Sequence, residues 1–368
     1  MRLILTIAGF LLASQGAWSF PEMIRHNYVN CGACHVSQAG GGVLNAYGRT
    51  ISYDVLSTWG KADEARAFYT VDPEKVGSWL NLGGDVRGIQ VHEENSQFKV
   101  GRFFWMQGGI DAAITVDRFT AMMTLGQVVG QQNESYQTLD FVSPKYYLSA
   151  QISDELSVRA GKFIPQYGLQ IPQHTFYIKD NLLIGEGTER DAGEVLWNGE
   201  QWNFALGYSK SSDKSAVRDE EKAVSGQILK NINDSHKVGI SFWSGDANQF
   251  SRQMISVHAV SGWTEKFYTL AEVDHVTSKN KANDVETKSI YELFKVGYEF
   301  YKGMHVQAVQ QYGRPDTNTS NENQSGGVGF LWYPRPHFEF EALWSKQRTL
   351  AQDKEFEDFA YLLTHFYF

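Results

Sequence analysis

The chain has 368 residues, of which 14% are aromatic, with 34 Gly, 8 Pro, 2 Cys and a formal net charge of −9. The acidic balance, with no basic stripe, argues against a nucleic-acid partner. Beyond the first residues no apolar run is long enough for a helical membrane span. Frequent aromatic and Gly residues with mild polarity instead suit a β-barrel, apolar outside and polar within.

Residues 1–19 read as an export signal. Arg2 precedes an apolar run over residues 3–13, and Ala17 and Ser19 form a small-residue cleavage site before Phe20. Just behind it stands Cys31-Gly32-Ala33-Cys34-His35. Two cysteines three apart with His directly after the second form the attachment motif for c-type haem. Each thiol can add to a haem vinyl group, and His35 can bind the iron from the proximal side. A structural zinc site wants four closed ligands, and this cluster offers at most three. A disulfide would not need the adjacent His. Covalent haem attachment requires an exported chain, so the two signals support each other.

Residues 20–78 differ from the rest. They hold the haem motif, then Gly40, Gly41 and Gly42, then two expected short helices. One lies near residues 50–59 and is stopped by Gly60; the other lies near residues 61–69 and stops before Asp72-Pro73. A segment of about 55 residues, much of it Gly-rich, cannot bury both a haem and a core of its own. It is therefore expected to be a small plug, with the haem between it and a barrel wall. Candidates for the sixth iron ligand are His26 and Met23 upstream of the motif, then His92 or Met106 downstream, or an open iron position. Arg25 and Arg49 suit ion pairs with the haem propionates, because Arg grips carboxylates in a bidentate geometry. The alternative for each is an ordinary surface Arg.

Residues 79–368 alternate apolar and polar in segments of about ten residues, the pattern of a membrane barrel. Phe338, Phe340 and Ala342 share one face, with Glu339 and Glu341 on the other. The alternation is weaker over residues 289–298, where Lys295 shares a face with Tyr291 and Leu293. Tight connections are expected at residues 117–118, 153–154, 198–199, 231–234, 261–262, 301–303 and 334–336. Longer polar connections are expected near residues 130–136, 168–187, 211–222, 278–286, 315–324 and 349–355. Short periplasmic turns alternating with long outer loops fit an antiparallel transmembrane barrel of about 16 strands with both ends periplasmic. A barrel of that size is expected to enclose an aqueous lumen. The last segment, residues 357–368, carries Leu362, Phe366 and Phe368 on one face and ends in Phe, like a barrel-assembly signal. A soluble β-sandwich or a β-helix is disfavoured by the number of hairpins and the absence of a repeat. The expected fold is thus all-β, with domains at 1–19 (signal), 20–78 (haem plug) and 79–368 (barrel).

Acidic groups stand at Glu93-Glu94, Asp219-Glu220-Glu221 and Glu355 to Asp358. Carboxylates could hold iron as hard ligands, but charge in loops is usually solvated surface. No catalytic triad, phosphate loop, zinc-protease motif or flavin fingerprint is present.

The stretch formed by Arg25-His26-Asn27-Tyr28, the Cys31 to His35 motif, and Leu44-Asn45-Ala46-Tyr47-Gly48-Arg49 resembles the fused monohaem cytochrome–porins of the bacterial outer membrane, best known from iron-oxidising bacteria. That family has an Arg shortly before the haem motif and a Gly-Arg pair after it; here three Gly stand where relatives often have Pro. Residues 159–168 and 189–193 resemble segments of phosphate-selective porins. The resemblance implies an electron-transfer protein with one covalent haem c, rather than a hydrolase or transferase. It would work between an extracellular donor or acceptor, such as ferrous or ferric iron, and a periplasmic carrier such as a soluble cytochrome. Its setting would be the outer-membrane lipid, with the haem domain on the periplasmic side or in the lumen. The alternatives are a porin for small anions, with the haem segment as plug or redox gate, and a haem enzyme with an open iron.

Overall fold

A computed structural model describes residues 20–66, 79–128, 145–173, 176–185, 187–211, 220–349 and 355–368. The export signal at residues 1–19 and the expected helix end near Tyr69 lie outside them. Sixteen antiparallel strands, β1 (Leu80–Glu94) to β16 (Glu357–Tyr367), pair in chain order and close on themselves, β1 against β16. The closing seam runs from Asp85↔Tyr367 to Glu94↔Asp358. It is extended by Phe368, whose backbone N–H and carbonyl both bond to Gly84. Closure leaves no strand edge, the condition for spanning lipid with strands. Among the described residues no helix is long and apolar enough to cross a membrane.

The alternation read from sequence is the wall of this barrel. On β10 (Phe250–Gly262), Ile255 and Val257 are more than half exposed while Met254, Ser256 and His258 are buried. On β15 (Phe338–Thr349), Glu339 and Glu341 are buried inside while Phe338 and Trp344 face out. Exposed aromatic residues, Trp79, Trp202, Trp263, Phe300, Tyr301 and Phe338, gather beside the short turns. Such a belt fits a membrane–water interface.

All seven expected tight turns join strands at one end, which is also the end where β1 begins and β16 finishes. Of the six expected long connections, those near residues 168–187, 278–286 and 315–324 join strands at the other end; those near 130–136, 211–222 and 349–355 lie wholly or largely outside the described residues. Two further connections at that end are short, residues 95–98 and 247–249, so short and long do not strictly alternate.

The lumen differs from expectation. It is filled, not open. The connection between β5 (Leu156–Phe163) and β6 (Arg190–Asn198) folds inward and carries the short helix Tyr177–Asp180. Its Tyr167, Leu169, Ile171, Phe176, Ile178 and Leu182 are all almost wholly buried. They form one apolar cluster with inward residues from strands around most of the circumference, including Ile89, Trp243, Met254, Leu293, Val309 and Tyr361. Burying that much apolar surface is favourable at about 25 cal/mol per Å², so the connection stays inside. Lys295, Tyr291 and Leu293 share the inward face of β12 (Glu286–Tyr301). Tyr291 and Leu293 are apolar there because they meet the inserted connection rather than water.

Candidate functional site

The N-terminal segment sits at the short-turn mouth and is folded around the cysteine motif. A 3₁₀ turn, Pro21–His26, is followed by a second over Cys31–Ala33. The chain then runs past His35 and Val36, reverses through Gly40, Gly41 and Gly42, and returns beside itself. The Val36 amide donates to the Val43 carbonyl at 3.0 Å. The three glycines have φ of 79°, 73° and 65°, a left-handed succession that only Gly adopts without strain. The following helix begins at Ala46, earlier than expected, because the Asn45 side chain caps it by accepting from the Gly48 amide at 2.8 Å. It passes into a wider turn over Ser52–Leu56, and a short helix follows at Ala62–Arg66.

Contacts to the barrel hold this segment in place. Arg25 pairs with Glu299, and Arg49 donates to the Leu82 carbonyl. Lys237 donates to the Val29 carbonyl, and the Asn30 and Asn203 amides lie 2.7 Å apart. Thr58 and Trp59 amides donate to the Tyr333 and Pro334 carbonyls at 2.8 and 3.0 Å.

Between segment and wall lies a cavity that is partly open to solvent. Cys31, Cys34 and His35 all line it. Met23, Ile24, Leu44, Ile51 and Leu56 from the segment make its surface mostly apolar. The barrel contributes Gln227, Leu229, Lys237, His258, Val260 and Tyr367, and the tip of the inserted connection covers it with Gln166, Gly168, Leu169 and Gln170. Gly48 also lines it, and a Cβ there would fall 2.2 Å from the Cys34 carbonyl oxygen. Only Gly lets the helix approach the motif so closely.

Haem fits these residues. The mostly apolar lining suits a large flat ligand with few polar anchors. The His35 ring is buried, and its Nδ1 has no hydrogen-bond partner among the described residues. Burial pushes its pKa down to about 4, against an opposing pull from the Gly42 and Gly41 carbonyls. The imidazole is therefore neutral at pH 7, the form that binds a metal. Burial also pushes the Cys34 thiol up to about 11, so without a ligand it is a protonated, unreactive thiol.

The other sequence candidates separate. Met23 lines the cavity but packs with Ile51, Leu56, Leu331 and Tyr333. His26 does not line it; burial and the neighbouring Arg25 charge hold its pKa below the usual value. His92 is half-exposed beside Glu94 at 3.2 Å, and Met106 lines a different, smaller cavity. Neither Arg25 nor Arg49 lines the cavity; both bond to the barrel instead. The cation that faces the cavity is Lys237, on β9 (His236–Asp246). Sequence reading missed Lys237 and His258 because only strand register brings them to residues some 200 positions upstream.

Glu221 is likewise not a solvated loop acid. It accepts from Arg190 Nη1 and Arg252 Nε, each at 2.8 Å, and all three are buried. Trp243 lies beneath both guanidinium groups, at 5.0 and 5.5 Å. Arg159 is paired in the same way with Glu194 at 2.8 Å.

No family model matches the chain, and no curated protein matches its sequence. Solved structures match the fold. An anion-selective porin from Comamonas acidovorans aligns at 10% identity and TM-score 0.61, covering 78% of this chain and 99% of its own. OmpT of Vibrio cholerae aligns at 10% identity and TM-score 0.59, covering 78% of this chain and 97% of its own. The outer-membrane channel DcaP of Acinetobacter baumannii aligns at 10% identity and TM-score 0.54, with 78% and 97% covered. The chain therefore has the closed antiparallel sixteen-stranded barrel of the porins. At these identities the likeness is one of fold.

Proposed function

We propose that this chain is a bacterial outer-membrane electron-transfer protein that holds one covalent haem c between its N-terminal segment and its barrel. The observation that carries the reading is that Cys31, Cys34 and His35 all line one mostly apolar cavity between segment and wall. A haem bound there supplies a one-electron iron couple. Cys31 and Cys34 would fix its edge, and His35 would hold the iron from the segment side. Apolar residues and the tip of the inserted connection exclude bulk water, which tunes the potential. Lys237 is the cation positioned to meet a propionate. The partners are an extracellular donor or acceptor, iron among them, and a periplasmic carrier such as a soluble cytochrome. The apolar outer band and closed strands support a lipid setting with both termini periplasmic.

The fold likeness favours a second reading, a porin for small anions with the N-terminal segment as plug. Two observations weigh against it. The lumen is packed by the inserted connection, and Arg159, Arg190 and Arg252 each carry a buried carboxylate partner instead of facing a passage. Haem staining after denaturing electrophoresis and acid–acetone extraction tests the cofactor. Redox titration of the purified protein against ferrous iron and against a periplasmic cytochrome tests the transfer. Wild-type protein without covalent haem would end the electron-transfer reading and leave the porin.

A further inference from the structure

We propose that His258 is the ligand on the face of the haem iron opposite His35; this rests on the haem reading above. Among the described residues, His258 is the one barrel histidine that lines the cavity. It is 4% exposed, on the inward face of β10. The other inward histidines stand elsewhere. His365 Nδ1 lies 2.7 Å from Glu339, His337 Nε2 lies 3.0 Å from the Ala65 carbonyl, and His305 stands between the Tyr268 and Tyr333 rings.

The polar contacts of His258 are weak. Ser256 Oγ is 3.4 Å from Nδ1, and Gln227 Nε2 is 3.5 Å from Nε2. Both distances are at the limit of a hydrogen bond. The Gln227 amide has two hydrogens, and it already donates to the Gly168 carbonyl at 2.9 Å and Ser241 Oγ at 3.1 Å. A buried imidazole without a strong partner in an apolar cavity requires an explanation. The wall is also shaped for it. Gly239 stands opposite His258 in the β9–β10 register, and a Cβ there would fall 2.4 Å from His258 Nε2. Met23, the rival donor at the cavity, is already packed in an apolar cluster.

The consequence is a cross-link. His35 belongs to the N-terminal segment and His258 to the wall, so the iron ties one to the other. Haem loading then stabilises docking of the segment, as any ligand shared by two parts of a folded state does.

The test uses full-length, haem-loaded protein. Wild type is expected to be low-spin. His258→Ala and His258→Gln should turn it high-spin, and added imidazole should restore the low-spin spectrum of His258→Ala. Met23→Leu should stay low-spin. His258→Met should stay six-coordinate with a raised potential, since Met ligation raises it. A high-spin wild type, a low-spin His258→Ala, or loss of the low-spin spectrum in Met23→Leu would overturn the assignment. Haem staining on denaturing gels judges the cofactor separately. Unstained wild type refutes the haem reading, whereas stained protein with an unaltered His258→Ala spectrum refutes only the ligand. Heat-modifiable gel mobility confirms that each variant is a folded barrel.

Discussion

Arg25 is the anchor whose removal is most informative. Its side chain is fully buried, and that of Glu299 is 9% exposed. The same guanidinium donates to the Glu265 carbonyl at 2.5 Å, and Glu299 also accepts from the Gly303 amide at 2.7 Å. The pair therefore links the N-terminal segment to two separate turns of the barrel mouth. In Arg25→Met, docking the segment would bury the Glu299 charge with one amide and a distant His305 for company. Stranding one member of a buried pair costs about 3–5 kcal/mol. The undocked state escapes this penalty because Glu299 regains water. At about 1.4 kcal/mol per tenfold, the undocking equilibrium should rise roughly 140- to 3,700-fold. The assay is limited proteolysis of the folded protein in detergent, reading cleavage within residues 20–66 while heat-modifiable mobility reports the barrel. Arg25→Met should be cut far faster than wild type with its barrel intact. Arg25→Met combined with Glu299→Gln should recover most of the protection, because no charge is left stranded. If Arg25→Met resists protease like wild type, or the double variant is as sensitive as the single, the anchoring argument fails.

Two further outcomes follow from the same geometry. In planar lipid bilayers the intact protein should pass little ion current, and deleting residues 166–184 should raise it roughly tenfold or more, toward that of an open barrel of this strand number; large current through wild type would mean that the connection does not seal the lumen. Docking of the segment should also weaken in acid through His337, whose pKa burial pushes down to about 4 from 6.5. Its contribution is complete above about pH 6.5 and is lost as pH falls toward 4, because the unfolded form takes up a proton that the docked form refuses. The loss is of order 3 kcal/mol. Protease protection of residues 20–66 should fall over that range in wild type and change less in His337→Asn, a residue that tolerates the left-handed backbone at φ 73°. Equal pH dependence in both proteins would remove His337 from the account.

The barrel was legible because its determinants are local. Alternation such as Phe338, Glu339, Phe340, Glu341 follows from the strand period alone, and turns such as residues 117–118 and 198–199 announce themselves by composition. The Cys31 to His35 motif is five contiguous residues, and in the structure Cys31, Cys34 and His35 line one cavity. The early helix start at Ala46 was visible in principle through Asn45, but Gly48 in the first turn hides it, since Gly is a poor helix former. The partners of the site were not legible. Whether Arg25 meets a propionate or Glu299, and whether His26 or His258 approaches the cavity, depends on where a segment docks in a closed wall.

The filled lumen was the largest gap, yet it left a trace. A porin strand facing water must alternate, because its inward side chains are solvated. A strand facing a packed insertion has apolar partners on both sides and loses that contrast, as a buried strand does. Tyr291 and Leu293, apolar on the same inward face of β12 as Lys295, blur the pattern for this reason. The connection that meets them reads as a polar loop by its length and turn residues, but it carries Leu169, Ile171, Phe176, Ile178, Leu182 and Ile184, all buried. Six large apolar residues in a barrel connection have no reason to face solvent. Blurred alternation in the strands and apolar residues in a long connection are therefore two sides of one contact. Taken together, they identify a barrel that is closed by its own chain and leaves a cavity beneath that closure, at the mouth where the cysteine motif sits.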